Sequence, residues 1–267
     1  MAYLDTDDGC RVYYEYHHAD KLPVVLIHGW GMSGEYWASA IEALIRAGHG
    51  AIAIDHRGCG RSDRDCADMS IAAIARDVAA IVKRCAVPKV VLNGWSLGGA
   101  VAVAAAEILG DKVAGIVLTC GASPRYTQAE GFPHGGTAEG VLAIGEAITA
   151  DRPGFFRALA EGAAAPGVSE ALASWVERGF IASGPRASAT LADLATLDQR
   201  ELLASFIFPV LSIGGAKDTI ADPAIAGFAA NCAQKGELLT METGHSPHLE
   251  NAPAYNEALL AFVRRLT

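Results

Sequence analysis

Basic residues are scarce in this chain. Its 21 lysines and arginines are outnumbered by 30 aspartates and glutamates, a net charge of −9 over 267 residues, and they are scattered rather than clustered. A polyanion would meet repulsion overall, so no nucleic-acid partner is expected. Long apolar runs are missing as well. The most apolar stretch, Ala100 to Ala106, is stopped by Glu107, well short of the roughly 20 residues of a membrane span, so no membrane association is expected. The opening "MAYLDTDDGCRVYYEYHH" has neither the basic start nor the apolar core of a secretory leader, so a cytoplasmic location is expected. The six cysteines (Cys10, Cys59, Cys66, Cys85, Cys120, Cys232) lie far apart with no C-x-x-C pair, and reduced, mostly buried thiols are expected. The eight histidines form no zinc-like cluster and no H-E-x-x-H, so no metal is expected.

What the chain does have is apolar material, 51% of its residues, enough to fill a large core. Near-continuous hydrophobic runs recur at "PVVLIHG" (23–29), "GAIAID" (50–55), "KVVLNG" (89–94), "KVAGIVLT" (112–119), "FPVLSIGG" (208–215) and "ELLTME" (237–242). Such runs suit parallel strands covered on both faces, while "CRVYYEYH" (10–17) alternates like an antiparallel edge strand. Helical segments lie between them; in 70–85, Ile71, Ile74, Val78, Ile81 and Val82 mark one core face and Ser70 stands where a cap belongs. Strand–helix alternation of this kind predicts an open, mostly parallel α/β sheet with helices on both faces. The alternation fails over residues 121–200, where four helical patterns run without a buried strand. An excursion of that length is too long for a loop. Residues 1–120 and 201–267 are therefore expected to form the core domain, with 121–200 a helical cap inserted into it.

One hydroxyl stands out. In "VVLNGWSLGGAVAVAAAE" (90–107), Ser96 falls between a buried strand and an alanine-rich helix, with Gly94 and Gly98 on either side. G-x-S-x-G between strand and helix is the strained turn that lifts a nucleophilic serine above the sheet edge. Such a serine needs a base, an acid to orient that base, and two N–H donors for an oxyanion.

Together with "VVLIHGWGMSGEYW", "DHRGCGRS", "GAKD" and "GHSPHLENAPAYNEALLAF", this motif makes the chain resemble the α/β-hydrolase superfamily along nearly its whole length. The resemblance implies Ser96 as nucleophile and His245 as base, with His248 three residues on as the competitor. It implies Asp218 as the acid, in the order Ser96, Asp218, His245; nearby Asp222, before Pro223, suits a helix cap better. Leu97, next after the nucleophile, should supply one oxyanion N–H. "HGWG" assigns the other to Trp30, with His28 anchoring that loop. Asp55 and Arg57 read as parts of a structural turn. Trp30, Trp95 and Phe132 are candidate substrate-binding residues.

A serine nucleophile sets the chain apart from the superfamily's aspartate-dependent dehalogenases and epoxide hydrolases. It looks most like the carboxylesterases related to pimeloyl-acyl-carrier-protein methyl ester esterase. The expected activity is cofactor-independent hydrolysis of a small carboxylic ester or lactone. Carbon–carbon bond hydrolysis or perhydrolysis by the same triad, and a non-catalytic small-ligand receptor, stand as alternatives. An acidic carrier protein is disfavoured as partner, because residues 121–200 hold six basic side chains against nine acidic ones, a balance of −3. A monomer or homodimer is expected.

Overall fold

A computed structural model describes residues 1–266. Its strands are β1 (Ala2–Asp5), β2 (Arg11–His17), β3 (Lys21–Ile27), β4 (His49–Ile54), β5 (Val90–Trp95), β6 (Val113–Thr119), β7 (Val210–Gly215) and β8 (Gly236–Met241). Among the described residues they form one sheet in the order β1-β2-β4-β3-β5-β6-β7-β8. Only the β1–β2 and β2–β4 pairings are antiparallel; the rest of the sheet is parallel. β1 is an extra edge strand, turned onto β2 through Gly9 at φ 81°.

Before the excursion between β6 and β7 come α1 (Ala38–Arg46), α2 (Ile71–Arg84) and α3 (Leu97–Leu109), and after it α8 (Arg200–Ser205), α9 (Pro223–Cys232), α10 (Pro247–Glu250) and α11 (Ala252–Arg264). The excursion between β6 and β7 carries α4 (Ala138–Ala150), α5 (Arg152–Ala163), α6 (Glu170–Ala182) and α7 (Ala189–Thr196). No helix among the described residues is long and apolar enough to cross a membrane.

Strand residues alternate between two cores, as the period of two requires. Val25, Ile27, Ile52 and Ile54 pack toward α2 and α3, whereas Val24, Leu26 and Ala51 pack toward α1 and α11. α2 begins where Ser70 Oγ accepts the Ala73 N–H at 3.1 Å. It then buries Ile71, Ile74, Val78, Ile81 and Val82 to 2% exposure or less, each contributing roughly 1.5–3 kcal/mol.

The cysteine expectation is corrected at two positions. Cys10 and Cys66 are joined in a disulfide with Cα atoms 5.4 Å apart, while Cys59, Cys85, Cys120 and Cys232 are free. The partners are 56 residues apart in sequence. They meet because the loop after β4 returns alongside β2, with Asp63 N–H donating to Arg11 O and Arg11 N–H to Asp63 Oδ2. Beside this staple, Arg57 is buried in a bidentate pair with Asp77 and reaches Asp8, so Arg57 serves the fold.

Because β3, β5, β6, β7 and β8 run parallel, the loops leaving their C-terminal ends gather at one edge. That edge is where an open α/β sheet takes its ligands, and residues 28–37, 96, 120, 218 and 245 all stand there.

Candidate active site

Ser96 links β5 to α3 in a conformation few non-glycine residues adopt, φ 54° and ψ −122°. Neighbouring glycines make the turn possible by close approach. A Cβ on Gly98 would stand 2.6 Å from His28 O, and one on Gly99 would stand 2.8 Å from the Gly121 Cα. Neither position tolerates a side chain without moving backbone, so the elbow is pinned against β3 on one side and the β6 loop on the other.

Asp218 follows β7 and His245 follows β8. The carboxylate Oδ2 accepts from His245 Nδ1 at 2.8 Å, which leaves Nε2 as the imidazole's proton acceptor. Asp218 Oδ1 is taken up by the N–H groups of Ile220 and Ala221 at 2.8 and 3.0 Å. Burial pushes the Asp218 pKa up, but the His245 imidazole and these two N–H donors outweigh it and hold the carboxyl below its ordinary value. Backbone bonds fix the histidine too: its N–H donates to Ala163 O at 2.8 Å, and Trp95 Nε1 donates to its carbonyl at 2.8 Å.

Ser96 and His245 line one cavity of about 80 Å³. Among the described residues the Ser96 hydroxyl has no hydrogen-bond partner; in unliganded sites such bonds are commonly loose and tighten on the substrate. Trp30, Trp95 and Leu97 share the cavity wall. Leu97, the first residue of α3, has an N–H with no helical acceptor, and the Trp30 N–H has no partner among the described residues. The roof comes from the excursion: Ile144, Phe155, Leu159, Phe180, Leu191 and Leu194. No lining residue is a Lys, Arg, Asp or Glu.

Phe132 is not at the cavity; it is fully buried, edge-on to Phe228 at 4.9 Å and His134 at 5.1 Å. Its hydrophobicity serves packing at the base of the excursion, so it is withdrawn as a substrate contact. Asp222 caps α9, accepting from Ala224 N–H at 2.9 Å. His28 anchors its loop, donating from Nδ1 to Gly29 O at 2.7 Å and accepting the His56 N–H on Nε2 at 2.8 Å. Asp55 supports the same loop through the Gly34 N–H at 2.7 Å.

His248, unlike His245, has no carboxylate partner. Both its nitrogens are buried without partners, and its ring packs on Trp37 at 4.2 Å and Trp95 at 4.6 Å. Burial, with a smaller contribution from His245, pushes its pKa down to about 3. The unfolded chain protonates this imidazole near 6.5, so below that pH the unfolded state binds the extra proton and stability falls as pH drops toward 3. At about pH 5 this single group costs roughly 2 kcal/mol relative to neutral pH. Urea melts at both pH values should therefore show a His248→Phe variant losing about that much less stability on acidification than the parent. Equal losses would refute the assignment.

Two residues that the sequence did not single out complete the site. Glu250 bonds the N–H groups of Gly244 and Ser246 at 2.8 and 3.0 Å, gripping the backbone on both sides of His245, and also takes the Ala165 N–H at 3.1 Å. Cys120, at φ 43°, is buried beside the Asp218–His245 pair; its sulfur, a carboxylate oxygen of Asp218 and a ring nitrogen of His245 lie within 4.8 Å of one another. Within that group Asp218 Oδ2 and His245 Nδ1 are hydrogen-bonded to each other at 2.8 Å. A glutamate four residues past Ser246 was the visible signal for the first; nothing local marks the second.

A family model described as alpha/beta hydrolase fold matches residues 23–252. The chain is 31% identical to a pimeloyl-[acyl-carrier protein] methyl ester esterase of Stenotrophomonas maltophilia (strain R551-3), over 91% of this chain and 93% of that protein. It is 28% identical to a bifunctional esterase/perhydrolase of Acinetobacter calcoaceticus, over 99% of this chain and all of that one. An esterase structure from Exiguobacterium antarcticum superposes with a TM-score of 0.93 at 25% identity, over 98% of both chains.

Proposed function

Because the chain belongs to the alpha/beta hydrolase fold family, we propose that it is a serine hydrolase that cleaves small, uncharged carboxylic esters or lactones without a cofactor. Ser96 Oγ attacks the carbonyl carbon while His245 Nε2 takes its proton. The oxyanion accepts the N–H groups of Trp30 and Leu97, donors fixed before the charge develops in a site with little water. Collapse of the tetrahedral adduct expels the alcohol, which carries away the proton from His245 and leaves Ser96 acylated. Water, deprotonated by His245, then releases the acid and restores the hydroxyl. Asp218 keeps the imidazole in the tautomer that presents Nε2 as acceptor. Helices α4 to α7 act as the cap that roofs this site.

The observation that carries this reading is a serine held at φ 54° in the same cavity as an imidazole whose far nitrogen is fixed by a carboxylate. The apolar wall supports a neutral acyl group, since a charge brought into it would lose its water without gaining a partner. An acidic carrier protein is not proposed, given the −3 balance over residues 121–200. A second reading draws on the esterase/perhydrolase relative: hydrogen peroxide in place of water would turn the same acyl-enzyme into a peracid, which bromination would detect.

A panel of p-nitrophenyl esters tests the reading. Butyrate should exceed the similarly sized hemisuccinate, whose free end is a carboxylate, by about 100-fold in kcat/KM, the cost of a modest unpaired charge. Equal rates would contradict the neutral-substrate assignment, and no turnover of any ester would favour a ligand receptor.

A further inference from the structure

The loop carrying the Trp30 N–H is bound to the cap along its length. The Trp30 indole N–H donates to Ala187 O at 2.7 Å. Gly31, at φ 72°, lies so near Phe180 of α6 that a Cβ there would stand 2.9 Å from the ring. Tyr36 Oη donates to the Trp175 carbonyl at 2.7 Å, and the two rings stack with centroids 4.5 Å apart. Glu35 Oε1 accepts from Trp175 Nε1 at 3.3 Å and from Arg178 at 3.1 Å. One face of α6 is thus seated on residues 31–36, and the residue before them is hydrogen-bonded to the segment after α6.

An oxyanion donor is useful only within hydrogen-bond reach of the charge that develops, and a misplacement of about 1 Å is enough to forfeit much of its effect. Nothing in the loop fixes the Trp30 N–H by a hydrogen bond of its own, so its position follows from where the surrounding loop is held. On one side His28 and Asp55 tie that loop to the core; on the other the cap holds it. We infer that the seating of α6 on residues 31–36 sets the Trp30 donor, so that the seated cap completes the oxyanion hole, with Tyr36 and Trp175 as positioning residues. This rests on the serine-hydrolase reading above. Glu35, Tyr36 and Trp175 do not line the cavity that holds Ser96, so any effect they have on the chemistry passes through the loop.

A seam that merely packs would change melting temperature and leave the folded protein's turnover alone. A seam that places a donor changes kcat, because the oxyanion exists only beyond the ground state. Tyr36→Phe keeps the ring and its stack and removes only the hydroxyl donor to Trp175. For butyrate hydrolysis, well below the melting temperature, kcat should fall about fivefold with KM within about twofold, the scale of one hydrogen bond felt in the transition state. Affinity for an alkyl boronic acid, which forms a tetrahedral anion on Ser96, should fall in the same proportion. Glu35→Gln, on the exposed rim, should give a smaller loss of the same pattern. Unchanged kcat and boronate affinity in folded Tyr36→Phe would overturn the inference. Amide hydrogen exchange separates this from failure of the hydrolase reading. Residues 29–33 and α6 should exchange faster together in Tyr36→Phe, whether or not the parent turns over esters. Faster exchange confined to α6 would overturn the coupling.

Discussion

Ser96→Ala is expected to lower kcat for p-nitrophenyl butyrate by about 10⁴-fold or more, leaving only what the oxyanion donors and binding contribute over water. The variant loses one oxygen, and that oxygen has no hydrogen-bond partner among the described residues, so folding should be nearly unaffected. Alanine inherits the same φ of 54°, leaving backbone strain as it is in the parent. KM should change little, because the cavity wall is otherwise intact. Steady-state kinetics beside a thermal melt check both halves; a folded variant with more than a few per cent of parental turnover would remove Ser96 from its role.

Asp218→Asn should be almost as damaging, about 10³- to 10⁴-fold in kcat, for a different reason. The amide can present an N–H to His245 Nδ1 where the carboxylate accepted one at 2.8 Å. The imidazole then carries its proton on Nε2 and cannot accept one from Ser96. The amide oxygen can still take the Ile220 and Ala221 N–H groups that now bond Oδ1, so the loop keeps its shape. Asp218 is not among the residues that line the cavity holding Ser96, and KM should hold within about threefold. A large rise in KM with kcat preserved would mean that the carboxylate shapes the pocket rather than the tautomer. The ratio of the two kinetic constants decides between these.

The sheet was legible because buried parallel strands leave long apolar runs bounded by turn residues. The run expected over 89–94 became Val90–Trp95, and the one over 237–242 became Gly236–Met241. The elbow was legible for a more local reason. Glycine is required at 94 and 98 by contacts with backbone, and that requirement is written into the motif itself.

What stayed hidden depends on pairs distant in sequence. Apolar patterning reports that a side chain is buried, not what covers it, so nothing local distinguishes Phe132, which packs on Phe228, from Phe180, which roofs the cavity. Cys10 and Cys66 could be matched only after β2 and β4 had been paired. His245 and His248, three residues apart, were separated by surroundings: one is hydrogen-bonded to a carboxylate, the other enclosed by rings with both nitrogens unpartnered. The seam between α6 and the Trp30 loop joins residues about 140 positions apart, which no periodicity encodes.

The central claim is that one hydroxyl, Ser96, is the nucleophile. Its most direct test is to treat the full chain with an alkyl fluorophosphonate, which exchanges fluoride for an activated serine oxygen, and to map the adduct by peptide mass spectrometry with Ser96→Ala alongside. The expected result is a single phosphonyl group on the peptide containing Ser96, formed in step with loss of ester turnover and absent from the variant. A label on any other residue that abolishes turnover, or full turnover after Ser96 has been completely labelled, would contradict it.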